Sequence, residues 1–283
     1  MINNFFNLKY NQYFKKKKNN INKGLGNFSN NKYWKNYKEC KDPDGKVRNL
    51  SNEVDKKIKD LSNEIKFIKK KYSKYKKKRI IDLGSGFGFF LKAFNNQWEK
   101  VGIELSDLAS QNSKKWAKIF KIDLEKKIEK KLTNTLGKFD VVFSYHVIEH
   151  LKKPEVFIEN ARQLLKDKGH FILGTPNFDS ACARRFKRNY RFFKDKTHIS
   201  YFSENSLFRL LEDYGFRVDQ VDYPYFETDH FSKNNLNKLF STNKISPPFY
   251  GNIMTFYCTK KSNPELKNFI NYKIEKINKI LSN

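Results

Sequence analysis

No apolar period holds over the first fifty residues. The stretch is polar, aromatic and rich in Lys and Asn, and it closes on the turn signal Asp42-Pro43-Asp44-Gly45. Residues 51–77 then place Val54, Ile58, Leu61, Ile65 and Ile68 three and four apart, which predicts a helix with Ser51 as N-cap. From Arg79 the period changes. Short apolar runs at 79–83, 100–104, 118–122, 139–144 and 170–174 predict strands, with helical patterns between them, most clearly at 154–165. Alternation at this spacing predicts a parallel sheet with crossover helices. A basic, aromatic loop (178–200), a helix (204–214) and a strand (216–223) follow. After a long aromatic segment come a strand at 252–259 and an amphipathic helix at 264–281, with Leu266, Phe269, Ile270, Ile274, Ile277 and Leu281 on one side. The expected division is an N-terminal extension and helical cap (1–76), a main domain (77–262) with insertions at 178–200 and 223–251, and a C-terminal helix (263–283).

The 283 residues suit one large domain or a domain with a lid, and 38% hydrophobic with 16% aromatic residues fills a sizeable core. A net charge of +28 would ordinarily point to nucleic acid or an anionic surface. Here 49 of the 58 cations are Lys, and Asn and Ile are abundant too, so A/T-rich coding accounts for much of the charge and nucleic acid is not the expected partner. The nine Arg are more selective: four fall within 184–191. Cys40, Cys182 and Cys258 are far apart and form no CxxC pair, which fits reduced thiols in the cytoplasm. No apolar run reaches about 18 residues, so no membrane span is expected, and the N-terminus lacks the pattern of a signal peptide. At most it offers a weak peripheral membrane foot.

The segment Ile80-Ile81-Asp82-Leu83-Gly84-Ser85-Gly86-Phe87-Gly88 runs a buried strand into a glycine-rich turn and a helix start. In an open parallel sheet that turn lies on the ligand side. A dinucleotide loop would have Gly or Ala where Phe89 stands. Asp82, two positions before the first glycine, gives nothing to a pyrophosphate but suits a cationic ligand such as a sulfonium with an α-amino group. Glu104, at the end of the next strand, is placed to accept both hydroxyls of a ribose.

Asp82 through Gly88, followed by Val101-Gly102-Ile103-Glu104, resembles the first two motifs of class I S-adenosylmethionine methyltransferases. The resemblance implies an α/β, Rossmann-like fold: a seven-stranded, mostly parallel sheet with one antiparallel strand near its edge, and helices on both faces. It implies S-adenosylmethionine as cofactor, held by Asp82, Gly84, Ser85, Gly86, Gly88, Glu104 and Leu105. Asp123 stands where the family often places an acid near the adenine. Lys138 through Leu151, with Tyr145-His146 at the strand end, is similar to the fourth-strand motif of small-molecule methyltransferases, particularly the ubiquinone-biosynthesis group. Tyr145 and His146 are thereby expected beside the cofactor. Some relatives in that group hold a divalent metal with Glu-x-x-Glu-His. This chain has His146-x-x-Glu149-His150, so no metal is expected. The same residues read as the H-x-x-E-H of inverted zinc peptidases, but the strand context does not suit one. Ser246-Pro247-Pro248-Phe249 resembles a motif of nucleic-acid amino methyltransferases but lies over a hundred residues too late.

For catalysis His146 is the first candidate base and His198 the second, with Glu149 orienting one of them, because imidazole titrates near neutral pH. Arg184, Arg185, Arg188, Tyr190 and Arg191 are the candidate acceptor contacts, since Arg forks bind phosphate or carboxylate. Together with Thr175 through Ser180 they resemble enzymes associated with surface polysaccharides. The expected activity is O-methylation of a small-molecule, glycan or nucleotide-sugar acceptor. The alternatives are an inactive binding protein on the same fold and a nucleic-acid methyltransferase.

Overall fold

The computed structural model describes residues 52–262 continuously, together with residues 15, 16, 40, 41, 45 and 47–49. The expected N-cap Ser51, most of the 1–50 extension and the 263–283 helix lie outside the described residues.

Seven strands form one sheet: β1 (Lys78–Leu83), β2 (Trp98–Ile103), β3 (Lys118–Phe120), β4 (Phe139–Tyr145), β5 (Leu165–Pro176), β6 (Phe216–Asp222) and β7 (Ile253–Lys260). Their order across the sheet is β6-β7-β5-β4-β1-β2-β3. Only β7 runs against its neighbours, pairing antiparallel with both β5 and β6. The central strands β1 and β4 are buried on both faces, which is why they read as unbroken apolar runs rather than alternating ones. After β1 the chain winds to β2 and β3 on one side, then returns to place β4 on the other. That reversal opens a crevice beyond the carboxyl ends of β1 and β4, where doubly wound sheets bind ligands.

Helices cover both faces. On one face α1 (Val54–Asp60) and α2 (Ser62–Lys71) precede the sheet, and α3 (Phe89–Lys92) follows the glycine turn. Ile65, Ile68 and Tyr72 pack there with Phe90, Leu91, Val141, Phe143 and Tyr257. The helix expected over 51–77 is thus two helices that break at Leu61, and its first cap is Glu53, without a side-chain cap bond. Beside α3, α4 (Asp107–Ser113) packs Leu108 and Ala109 against Phe87 and Phe89. The opposite face carries α5 (Lys130–Leu136), α6 (Pro154–Leu164), which starts on a proline at its first turn, and α9, described below. Phe157, Ile158, Ala161 and Leu164 of α6 press on Val142, Phe171 and Leu173.

The 178–200 insertion is not a simple loop. It forms α7 (Ala181–Phe186) and α8 (Arg191–Lys194), and Phe178, Phe186, Tyr190 and Tyr201 make a satellite core of their own. Next, α9 (Glu204–Asp213) opens on a capping box between Ser203 and Ser206. The 223–251 insertion holds one short helix, α10 (Lys233–Lys238). Among the described residues no helix is long and apolar enough to cross a membrane.

Candidate functional site

The glycine turn leaves β1 with Gly84, Gly86 and Gly88 at φ of 79°, 51° and 76°. At Gly84 the constraint is double: a Cβ would strain the left-handed backbone and would sit 2.4 Å from Val147 Cγ2. The N–H groups of Gly84 and Ser85 donate to Ile103 O at the end of β2, at 2.9 and 3.0 Å. Glu104 completes the cradle. One carboxylate oxygen accepts from Gly86 N–H at 2.9 Å and the other from Ser106 N–H at 2.8 Å. The acid therefore fixes the loop and still has lone pairs to offer outward. Burial raises its carboxyl above the ordinary range, against the pull of the Ser106, Gly86 and Leu105 N–H groups. Asp82 is buried, and burial together with the Glu104 carboxylate pushes its carboxyl well up. A cation placed between the two acids reverses that cost. Ser85 Oγ is buried without a hydrogen-bond partner. Leu105 is partly exposed beside Glu104. Asp123, past β3, accepts from Glu125 N–H at 3.0 Å and lies 3.6 Å from Lys126, so its carboxylate closes a local turn.

At the end of β4, Tyr145 lies flat on the β5 backbone: a Cβ at Gly174 would fall 2.1 Å from its ring. His146 follows with φ 57°, a left-handed conformation rare for a residue with a side chain, and its N–H donates to Gly174 O at 2.9 Å. Its side chain is 36% exposed, and Nδ1 meets Glu149 Oε1 at 2.9 Å. Glu149 is fully buried, and its other oxygen accepts from Thr175 Oγ1 at 3.0 Å. Burial alone would raise the Glu149 carboxyl. The bond from His146 and the nearby His150, His146 and His198 outweigh that and hold it at about 2.

His150 and His198 are not on the open side. Both are buried, with Nδ1 against Thr197 O at 3.2 Å and Phe192 O at 2.9 Å respectively, and their rings lie 4.8 Å apart. Burial lowers His150 to about 4. Ligating atoms of Glu149, His150 and His198 lie within 4.8 Å of one another, so these three are the residues that could hold a metal ion among the described residues. His198 as an alternative base faces Asp195 Oδ2 at 3.6 Å inside the protein.

The five candidate acceptor contacts do not converge. Arg184 forks onto Asp179 at 2.8 and 2.7 Å. Arg185 donates to Leu239 O at 2.6 Å. Arg191 is buried and donates to Ser246 O, while Tyr190 is fully buried with its hydroxyl donated to Asn177 O. Only Arg188 stands exposed with no role inside the fold. Sequence proximity grouped them, but the insertion uses most of them to hold itself together.

A family model described as a methyltransferase domain matches residues 48–221, more than half of the chain. The chain belongs to the methyltransferase-domain family. A protein of Methanocaldococcus jannaschii with no described activity is 28% identical over 148 residues, half of this chain, and the match spans 65% of that relative's length. Among solved structures, magnesium protoporphyrin IX methyltransferase from Synechocystis, bound to S-adenosylhomocysteine, aligns with a TM-score of 0.54 at 12% identity. That alignment covers 84% of this chain and 97% of the other. A possible histamine N-methyltransferase from Thermotoga maritima aligns at 0.50 with 20% identity, over 75% and 97%. At these identities the likeness is one of fold: the methyltransferase domain has the Rossmann-like architecture of S-adenosylmethionine-dependent methyltransferases.

The methyltransferase domain also places a residue that sequence reasoning missed. Glu64, on α2, is 1% exposed; one oxygen accepts from Thr255 Oγ1 at 3.0 Å and the other has no partner. Burial raises its carboxyl to about 7. Thr255 pairs with Gly174 across β7 and β5, which puts this acid at the same end of the sheet as Tyr145. The signal in the sequence is spacing: three residues after Leu61 and four before Ile68, an acidic residue falls on the apolar face.

Proposed function

We propose that this protein is an O-methyltransferase acting on a hydroxyl of a small-molecule or glycan-type acceptor, as the likeness to the ubiquinone-type motif suggests, without a catalytic metal. S-adenosylmethionine is the cofactor. The residues fit it: three glycines in left-handed conformations admit a ligand against the backbone, and Glu104 still has acceptor capacity after binding Gly86 and Ser106. Asp82 carries a buried acid that a cation would stabilise, and Ser85 Oγ lacks a partner. When bound, S-adenosylmethionine supplies a methyl group on a sulfonium, an electrophile that mainly needs an aligned acceptor.

The observation that carries the reading is the His146–Glu149 pair. The anionic carboxylate of Glu149 accepts the Nδ1 hydrogen of His146, which leaves Nε2 with its lone pair as the basic atom. Thr175 holds the carboxylate from the far side. The strained backbone of His146 and its bond to Gly174 aim the ring from the end of β4, beside the cradle and toward the side where about a third of it is exposed. In the reaction Nε2 takes the proton of the acceptor hydroxyl, and Glu149 stabilises the imidazolium that results. Both Glu149 oxygens are engaged in this arrangement, which argues for orientation of the base rather than for metal binding. The test is transfer of labelled methyl to a panel of phenols, free sugars and nucleotide sugars. His146→Ala should keep cofactor affinity and lower turnover by about a hundredfold. A variant that turns over at the wild-type rate removes the base from the reading.

A further inference from the structure

Eight large hydrophobic side chains are exposed among the described residues, and five of them, Phe226, Phe231, Leu236, Phe240 and Tyr250, fall in the 223–251 insertion. Such side chains scattered singly need no explanation; a cluster marks an interaction surface. The rings of Phe226, Phe231 and Tyr250 touch one another at centroid distances of 4.8, 5.5 and 6.2 Å, so they form one patch. Phe240, four residues after Leu236, is 81% exposed, the most of any. The same segment carries Lys233, Lys238 and Lys244, all exposed, and the Arg185 guanidinium lies 5.9 Å from the centre of the Phe240 ring. Glu227 and Asp229 are the acids of the segment and lie beside Phe226.

The position of the segment is fixed by the sheet. β6 ends at Asp222 opposite Thr255, and β7 begins at Ile253 opposite Pro176, so the connection between them leaves and re-enters at the carboxyl edge. The glycine turn, Glu104 and His146 stand at that same edge. The insertion also lies beyond the 48–221 span that the family model matches.

We propose that the 223–251 segment docks the protein on an anionic lipid bilayer, with Phe226, Leu236 and Phe240 entering the interfacial layer and these Lys and Arg side chains meeting the headgroups. Apolar insertion and basic charge are the two signals that hold a peripheral protein, and each cation near such a surface gives about a fivefold gain in affinity. The chain's net charge of +28 adds to the attraction at longer range. Nucleic acid is the poorer occupant. Tyr250 meets Phe226 and Phe231 edge to face, at 67° and 89°, Phe231 already stacks on Phe249 at 19°, and Leu236 offers no face on which a base could stack. Docking stands whether or not the methyl-transfer reading holds. If that reading holds, the acceptor class follows: an amphiphile whose hydroxyl is presented at the membrane surface.

The experiment is flotation of the full chain, without cofactor or acceptor, with vesicles of phosphatidylcholine mixed with phosphatidylglycerol and with vesicles of phosphatidylcholine alone. The wild type should float with the anionic vesicles and only weakly with the neutral ones, and salt should weaken the binding without abolishing it. Phe226→Ser, Leu236→Ser and Phe240→Ser should each lower affinity about tenfold, as expected for losing a partly inserted side chain. A cofactor titration checks that each variant is folded. Failure of the wild type to float, or flotation of the triple variant like the wild type, overturns the proposal. So does a dimer that the triple variant dissociates, or RNA binding that it loses, since either would give the patch another occupant.

Discussion

Replacing Glu104 with Gln keeps the shape of the side chain and removes its charge. In the structure the two carboxylate oxygens accept from Gly86 N–H and Ser106 N–H at 2.9 and 2.8 Å. The amide oxygen of Gln can accept one of these, and its NH2 then faces the other. A buried N–H left without an acceptor costs about 1–3 kcal/mol. Part of that is recovered, because burial already penalises the charged carboxylate. The expected net loss of stability is roughly 1–2 kcal/mol. Cofactor binding should suffer more, since charge-assisted bonds to the ribose hydroxyls are worth about 1.5–3 kcal/mol. We therefore expect S-adenosylmethionine affinity to fall roughly ten- to a hundredfold by isothermal titration calorimetry. Urea unfolding of the unliganded variant measures the structural part separately. Wild-type affinity in a folded Gln variant would take Glu104 out of the cofactor site. An affinity loss matched by collapse of the unliganded fold would make it a loop anchor only.

Gly84→Ala should destabilise the protein by roughly 2–4 kcal/mol in urea, from left-handed strain plus the 2.4 Å approach to Val147 Cγ2; a loss under about 1 kcal/mol would mean the turn relaxes freely. Glu64 binds a proton more tightly folded, at about 7, than at its ordinary 4.5, so its contribution to stability is full below about pH 4.5 and lost as pH rises to 7. Glu64→Gln should remove that decline and gain on the wild type by roughly 3 kcal/mol across the window; parallel stability curves for the two would show the acid to be solvated. Chelation should leave turnover unchanged, because His146 and Thr175 occupy the Glu149 oxygens; loss on chelation with recovery on added zinc or manganese would make Glu149, His150 and His198 a ligand set.

The sheet was legible because its buried strands are apolar runs closed by glycine or charge. The turn at Asp82–Gly88 and the acid at Glu104 stand at the strand ends where the pattern puts them. Boundaries were harder. β5 begins five residues before the apolar run at 170–174, because Phe139 of β4 already pairs with Leu165. Leu61 breaks the first helix with no Gly or Pro to announce it. What a side chain touches at a distance was not legible at all. Arg185 and Arg191 are held by carbonyls of Leu239 and Ser246, more than fifty residues on, and Glu64 meets Thr255 across 191 positions. Helical spacing puts Glu64 on the apolar face with Leu61 and Ile68, but it does not name the strand residue that meets it.

The cradle of Asp82, the glycine turn and Glu104 is proposed to bind S-adenosylmethionine. Its most direct test is calorimetric titration of the wild-type chain with S-adenosylmethionine, alongside NADH and ATP as competing nucleotide chemistries. One site per chain is expected, with a dissociation constant of roughly micromolar order, competition by S-adenosylhomocysteine, and no heat from NADH or ATP. A chain that binds NADH or ATP in that cradle and leaves S-adenosylmethionine untouched would contradict it.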